Sequence, residues 1–177
     1  MDFENCIVID NGSSTIRAGF QSDATPLIQV PNLVGVPYKQ NLLPNITHPL
    51  HLCQFGLDKR GVLSLKYPME HGIIHDWDSE EKIWKHIFRR YMPRTNLCDF
   101  PVMITDHFYN PISQKERMTE SFFETFSVPC FYVVNPNLLT LYACGRGTGL
   151  ACEIGDGVIS IFPICEGYGI LNAVRRI

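Results

Sequence analysis

The chain has 177 residues, of which 45% are apolar and 19% charged, and carries a net charge of −3. That is enough for one ordinary domain or two small lobes around a buried core. The pI near 6.0 gives no basic footprint for direct nucleic-acid binding, and no apolar run reaches the roughly 18 residues a membrane-spanning helix needs. The N-terminus, Met1-Asp2-Phe3-Glu4-Asn5, lacks the positive region of a signal peptide, which points to an intracellular protein. Seven scattered cysteines with no C-x-x-C pair read as mostly buried thiols of a reducing compartment. His48, His51 and Cys53 lie close together, but no second cluster completes a metal site, so a solvated loop is the favoured reading.

Cys6-Ile7-Val8-Ile9-Asp10 is a short β-branched run that ends at Asp10-Asn11-Gly12-Ser13-Ser14. Thr15 to Phe20 alternates out of that turn, so the opening reads as a β-hairpin. A third strand is expected over Pro26 to Val30. Residues 37 to 60 carry three prolines and no sustained period, which predicts a long exposed loop flanked by short strands at most. A helix opens at Trp77, with Asp78 and Glu81 spaced as a capping box, and Pro93 stops it. Its apolar residues, Trp77, Ile83, Trp84, Ile87, Phe88 and Tyr91, recur at helical spacing and read as core. A buried strand at Pro101 to Thr105, a helix at Ser113 to Phe126 and a strand at Pro129 to Val134 follow. Asn135-Pro136 is a helix start, an Asn cap before a proline at the first helical position, and Gly145 and Gly147 end that helix.

The last 29 residues repeat the grammar of the opening. Leu150 to Ile154, then Gly155-Asp156-Gly157, then Val158 to Phe162 is again strand, glycine-rich turn, strand. Strands alternating with helices place the chain in the α/β class. Small residues in such turns let backbone N–H groups approach phosphate oxygens, a seryl hydroxyl adds a donor, and an aspartate ending the strand can hold a metal-bound water. Asn-Gly is also the commonest hairpin turn, so one such hairpin alone is weak evidence. Two of them facing each other point to a phosphate clamp.

Beyond this grammar, specific motifs resemble the actin family. Asp10-Asn11-Gly12-Ser13 with Ala18-Gly19-Phe20 is similar to the first phosphate loop of actin. Lys59 to Ile74, with Glu70-His71-Gly72, looks like the stretch that carries the family's modified histidine. Leu141-Tyr142-Ala143, Gly145-Arg146, Gly155-Asp156-Gly157-Val158 and Glu166-Gly167-Tyr168 follow in order. The match spans essentially the whole chain. It implies the actin-like ATPase (ribonuclease H-like) fold: α/β, N-terminal half, a mixed sheet with flanking helices. Residues 1–135 would form a first lobe with a small subdomain inserted at about 31–68. Residues 136–177 would begin a second lobe, expected to be truncated, with its apolar edge left bare or covered by a partner.

The resemblance implies ATP with Mg2+ or Ca2+. Asp10, Gly12, Ser13, Ser14 and Arg17 would bind from the first loop, and Gly155, Asp156, Gly157 and Val158 from the second. Asp10 and Glu153 would act on the metal through water. The family pattern is altered at Ser14 (usually glycine), Arg17 (lysine), Glu153 (aspartate) and Ile154 (serine). Its water-positioning glutamine falls at Pro136 and a histidine at Ser160. Hydrolysis is therefore expected to be weak or absent. Other family contacts to nucleotide come from the second half, so full-affinity binding by this chain alone is not expected. Gln40 to Gln54 takes the place of the family's interprotomer loop. The implied role is a divergent actin-related protein of cytoplasm and cytoskeleton, with actin, actin-related or cytoskeletal proteins as partners. The alternatives are an ATP-binding enzyme or switch of the same fold, and a subunit of a nuclear chromatin-remodelling assembly.

Overall fold

A computed structural model describes residues 5–38, 51–93 and 95–177. Strands β1 (Ile7–Asn11), β2 (Thr15–Phe20) and β3 (Ile28–Pro31) form an antiparallel meander. Next come β4 (Val34–Pro37), β5 (His51–Leu52), helix α1 (Gln54–Asp58) and β6 (Leu63–Lys66). Two short strands, β7 (Met69–Glu70) and β8 (Ile73–Ile74), lead into α2 (Trp77–Tyr91). After these lie β9 (Val102–Thr105), α3 (Ile112–Glu120), β10 (Phe131–Val134) and α4 (Pro136–Ala143). The chain closes with β11 (Gly149–Ile154), β12 (Ile159–Cys165), β13 (Tyr168–Gly169) and β14 (Arg175–Arg176).

The main sheet runs β10-β9-β1-β2-β3, with β1, β9 and β10 parallel and the β1–β2–β3 side antiparallel. The sheet is mixed and helices flank it, as the resemblance implied. Ile7, Ile9, Ile16, Ile28 and Ile104 point inward from alternate positions and are buried. Against them α2 lays Ile83, Trp84, Ile87 and Phe88. Trp84 and Phe122 pack with ring centroids 5.1 Å apart, and Phe122 stacks on Phe131 at 4.6 Å. Each such side chain removed from water contributes roughly 1.5–3 kcal/mol. The stripe expected to be core is core, with Trp77 and Tyr91 at its partly buried ends.

Because β1, β9 and β10 are parallel, their carboxyl ends share one edge. There the chain continues as Gly12-Ser13-Ser14, Asp106-His107 and Asn135-Pro136. A second sheet, β11-β12-β13 with β14 also on β12, packs Ala151, Phe162, Ile164 and Val174 against Leu141 of α4. Its other face carries Leu150, Cys152 and Ile154 opposite Pro163, Ile161 and Ile159, and Leu150 and Ile154 are exposed.

Four expectations need correction. The α2 cap is Asp76, whose carboxylate accepts from the Ser79 N–H at 3.2 Å and its hydroxyl at 2.6 Å. Asp78 lies inside the first turn, and Glu81 instead accepts from the Ser121 hydroxyl at 2.6 Å. The helix from Ile112 ends in a π-helical turn, Ser121–Thr125, which inserts one extra residue and turns Phe122 fully inward. Five of the seven cysteines are exposed, because they fall on outward strand positions, at element ends or on the short surface turn Leu97–Asp99; only Cys53 is buried, and Cys6 is half-buried. Cys53 also corrects the loop expectation. It tucks into the core at the start of α1, its N–H bonded to the Leu33 carbonyl, so the described part of 37–60 is structured. Residues 39–50, and with them His48 and most of the Gln40 to Gln54 loop, lie outside the described residues.

Candidate functional site

The two hairpin turns face each other across a cleft of about 490 Å³, within the size range of small-molecule sites. It opens at the carboxyl edge of the parallel strands, where open α/β sheets bind ligands. Asp10, Gly12, Ser13, Ser14 and Arg17 line one wall, and Glu153, Gly155, Asp156, Gly157 and Val158 line the other.

The first loop is fixed from both sides. The Thr105 hydroxyl donates to Asp10 Oδ1 at 2.9 Å and accepts the Asn11 N–H at 3.0 Å. Arg17 Nη1 lies 3.0 Å from Asp10 Oδ2, an ion pair with both side chains nearly half exposed and therefore weak. Gly12 has no room for a side chain, since a Cβ there would sit 2.7 Å from the Thr15 carbonyl oxygen. The turn needs glycine for this close approach.

A third segment joins the two loops. The Gly72 N–H donates to Ser13 Oγ at 2.8 Å, and His71 Nδ1 contacts the Gly157 carbonyl oxygen at 2.8 Å. A Cβ on Gly157 would stand 3.0 Å from the His71 backbone. Both His71 and Gly72 have positive φ, at 50° and 72°. That turn is held underneath by amides. Asn110 donates to the Gly72 carbonyl at 2.7 Å and to Asp106 Oδ1 at 2.6 Å, and Gln114 donates to the same Asp106 oxygen at 2.8 Å. Arg176 Nη1 donates to Asn110 Oδ1 at 2.8 Å, and its Nη2 donates to the His71 carbonyl.

Sequence reasoning missed Thr105, Asp106, His107 and Gly72 as cleft residues. The signal for three of them was their position at the end of a parallel strand. Asp106 is buried, which pushes its carboxyl above the usual range against the pull of Asn110 and Gln114, and its Oδ2 has no hydrogen-bond partner. Burial holds the His107 imidazole below its ordinary value, and Arg176 adds to this while Asp10 opposes it.

Glu153 is half-buried and accepts from the Thr140 hydroxyl at 2.7 Å. Burial raises its carboxyl pKa, and the negative charge of Asp10 raises it further. Two carboxylates that repel across one cleft are a donor set that a divalent cation would relieve. Gly12 and Gly157 have no room for a Cβ, and side-chain-free turns of this kind let an anion approach backbone N–H groups. The residues present therefore fit a phosphate chain with a hard cation. A family model for actin matches residues 1–177. This chain belongs to the actin family. Its α/β architecture is the actin-like fold, and that family generally binds ATP with a divalent cation.

Against the actin pattern, the altered positions differ in where they lie. Pro136 and Ile154 line the cleft, and Ile154 is 79% exposed. Ser160 is buried instead, and its hydroxyl donates to Asn137 Oδ1 at 3.0 Å beneath the second sheet.

Proposed function

We propose that this is a divergent actin-related cytoskeletal protein that acts by assembly or partner binding, with a degenerate cleft that grips nucleotide without turning it over. In this reading the strands at 34–66 belong to a small inserted subdomain, and the residues from 136 onward begin a second lobe. The observation that carries it is the split within the cleft. Its gripping parts are present: glycine turns, Ser13, Asp10 and Asp156 as in the family, with Ser14, Arg17 and Glu153 as polar or like-charged replacements. At the positions where the family orients an attacking water stand Pro136, which has neither amide side chain nor N–H, and Ser160, which is turned into the sheet. An ATP phosphate chain would meet the backbone of both turns. Asp10 and Glu153 would hold Mg2+ or Ca2+ through its waters, and the cation, when bound, neutralises phosphate charge. Arg17 would move part of its charge from Asp10 to the phosphates. The exposed apolar side chains Leu150, Ile154 and Tyr168 support the partner-binding part.

The test is a thermal melt of the 177-residue protein with and without Mg·ATP, with phosphate release followed on the same samples. Ligand at 100 times its Kd adds about 2.7 kcal/mol, an upward shift of several degrees. The expected result is that shift with phosphate release at the buffer rate. A cooperative melt with no shift refutes the nucleotide grip.

One observation favours a second reading, a slow ATPase. His107 lines the cleft, and burial favours its neutral form, which can take a proton. Phosphate release above the buffer rate, lost in both Asp156→Ala and His107→Gln, would establish that reading.

A further inference from the structure

Behind the first loop lies a buried polar pair, Glu80 and Asn32, that does not itself line the cleft. Glu80, on the inward face of α2, is 0% exposed. Its Oε1 accepts from Asn32 Nδ2 at 3.3 Å, and the same Nδ2 donates to the Gly12 carbonyl at 3.1 Å. Asn32 is itself fully buried, and its N–H donates to the Ser14 carbonyl at 2.9 Å. Asn11, next in the cluster, accepts from Trp84 Nε1 at 3.1 Å. A fully buried carboxyl costs stability relative to a hydrophobic side chain of similar size.

We infer that Glu80 is a positioning residue for the first loop: through Asn32 it fixes the Gly12 carbonyl on the core side and so keeps the loop N–H groups turned to the cleft. The inference rests on the reading of that loop as a phosphate grip, but the link itself needs no ligand to be measured. An apolar side chain at 80 would leave Asn32 Nδ2 held by the Gly12 carbonyl alone. A glutamine would keep a carbonyl acceptor for the amide.

The state of the carboxyl fits the role. Burial pushes its pKa up to about 7, against the pull of the neighbouring Asn11 and Asn32 amides, and Asp76 raises it further. The ionisable groups acting with it are Asp76, one turn back on α2, and the Cys53 thiol from the turn before α1. From the first loop and the β3–β4 link, the groups that meet it are neutral amides, Asn11 and Asn32. Asn11 Nδ2, Asn32 Oδ1 and Glu80 Oε2 have no hydrogen-bond partner. They are one donor and two acceptors while the carboxyl is ionised, and a proton on Oε2 makes the third a donor. Burial favours the neutral acid, and glutamine mimics that form.

The test is amide hydrogen exchange by NMR on the whole 177-residue protein without nucleotide, in wild type, Glu80→Met and Glu80→Gln. The reporters are the Asn11 and Asn32 N–H groups, bonded to Thr105 Oγ1 and the Ser14 carbonyl. Amides of the β11–β12 hairpin serve as the control. Glu80→Met is expected to speed exchange at the reporters about tenfold, with the control unchanged and Glu80→Gln close to wild type. Unchanged reporters in Glu80→Met, equal loosening of both hairpins, or a Glu80→Gln that behaves like Glu80→Met each overturns the inference. If Glu80→Met does not fold, Asn32→Ala breaks the same link from its other end. Faster exchange at Asn11 alone then supports the link, and unchanged exchange refutes it. A wild type that shows no Mg·ATP shift would sink the nucleotide reading while leaving this measurement decisive for the link.

Discussion

The buried carboxyl of Glu80 makes stability depend on pH in a way one substitution should erase. Its ordinary pKa of 4.5 is raised to about 7 in the fold, chiefly by burial. Between those values the folded chain holds a proton that the unfolded chain has already lost. Stability from this group is therefore full below about 4.5, falls as pH rises, and levels off above about 7. The displacement corresponds to on the order of 3 kcal/mol. Glu80→Gln removes the titration and keeps the acceptor for Asn32. It should melt close to wild type at pH 5 and well above it at pH 8. At about 2.1 cal/mol/K per residue, the gap at pH 8 is about 8 °C. Thermal unfolding of both proteins at pH 5, 6, 7 and 8 measures it. Burial shifts His86, His107, Asp106 and Glu153 as well, but these are common to both proteins and cancel in the difference. A difference that stays flat from pH 5 to pH 8 would refute the reasoning, because it would mean the carboxyl is ionised without penalty or reached by water.

Gly157→Ala should lower stability by about 1–3 kcal/mol and abolish any Mg·ATP shift, since the new methyl presses on the His71 backbone at 3.0 Å; paired melts with and without ligand check both parts. Arg176→Ala strips a donor from Asn110 and from the His71 carbonyl. It should cost about 1–3 kcal/mol, read as a lower Tm that Arg176→Lys restores only in part. Asp10→Asn should change the ligand-free stability by less than about 1 kcal/mol, because the Arg17 pair is exposed. The same variant should lose the metal dependence of the ATP shift, which a titration with Mg2+ at fixed ATP will show.

Much of the fold could be read from local pattern. The strand at Ile7–Asn11 follows from β-branched residues that stop at a turn, and the helix at Pro136–Ala143 from an asparagine cap whose side chain does accept the Asn137 N–H. The cap of α2 was misplaced by two residues because Asp76 and Asp78 compete in sequence. What separates them is the Ser79 hydroxyl, which can satisfy Asp76. The π-turn at Ser121–Thr125 leaves no periodic signature, since one extra residue only shifts the phase of the apolar pattern. In the cleft, the glycine turns were visible because close approach demands glycine. The Asp106–Asn110–Gln114 brace was not, because amide networks have no characteristic spacing until the chain is folded.

The inner polar cluster shows the same limit from the other side. Glu80 sits in Ser79-Glu80-Glu81-Lys82, a stretch that reads as an exposed helical face. Helix periodicity places position 80 one turn before Ile83 and Trp84, on the buried stripe, and there a glutamate contradicts the pattern. Such a contradiction marks a group retained for something other than packing. The neighbouring facts point one way. Asn32 is fully buried, Asn11 ends β1, and Gly12 opens the turn that cannot carry a side chain. The residues proposed to grip a phosphate are therefore only the outer layer of the first loop. The layer beneath is a chain of hydrogen bonds that runs from α2 through Asn32 to the loop carbonyl. A variant that alters this inner layer should change how firmly the turn is held while leaving every cleft-lining side chain in place.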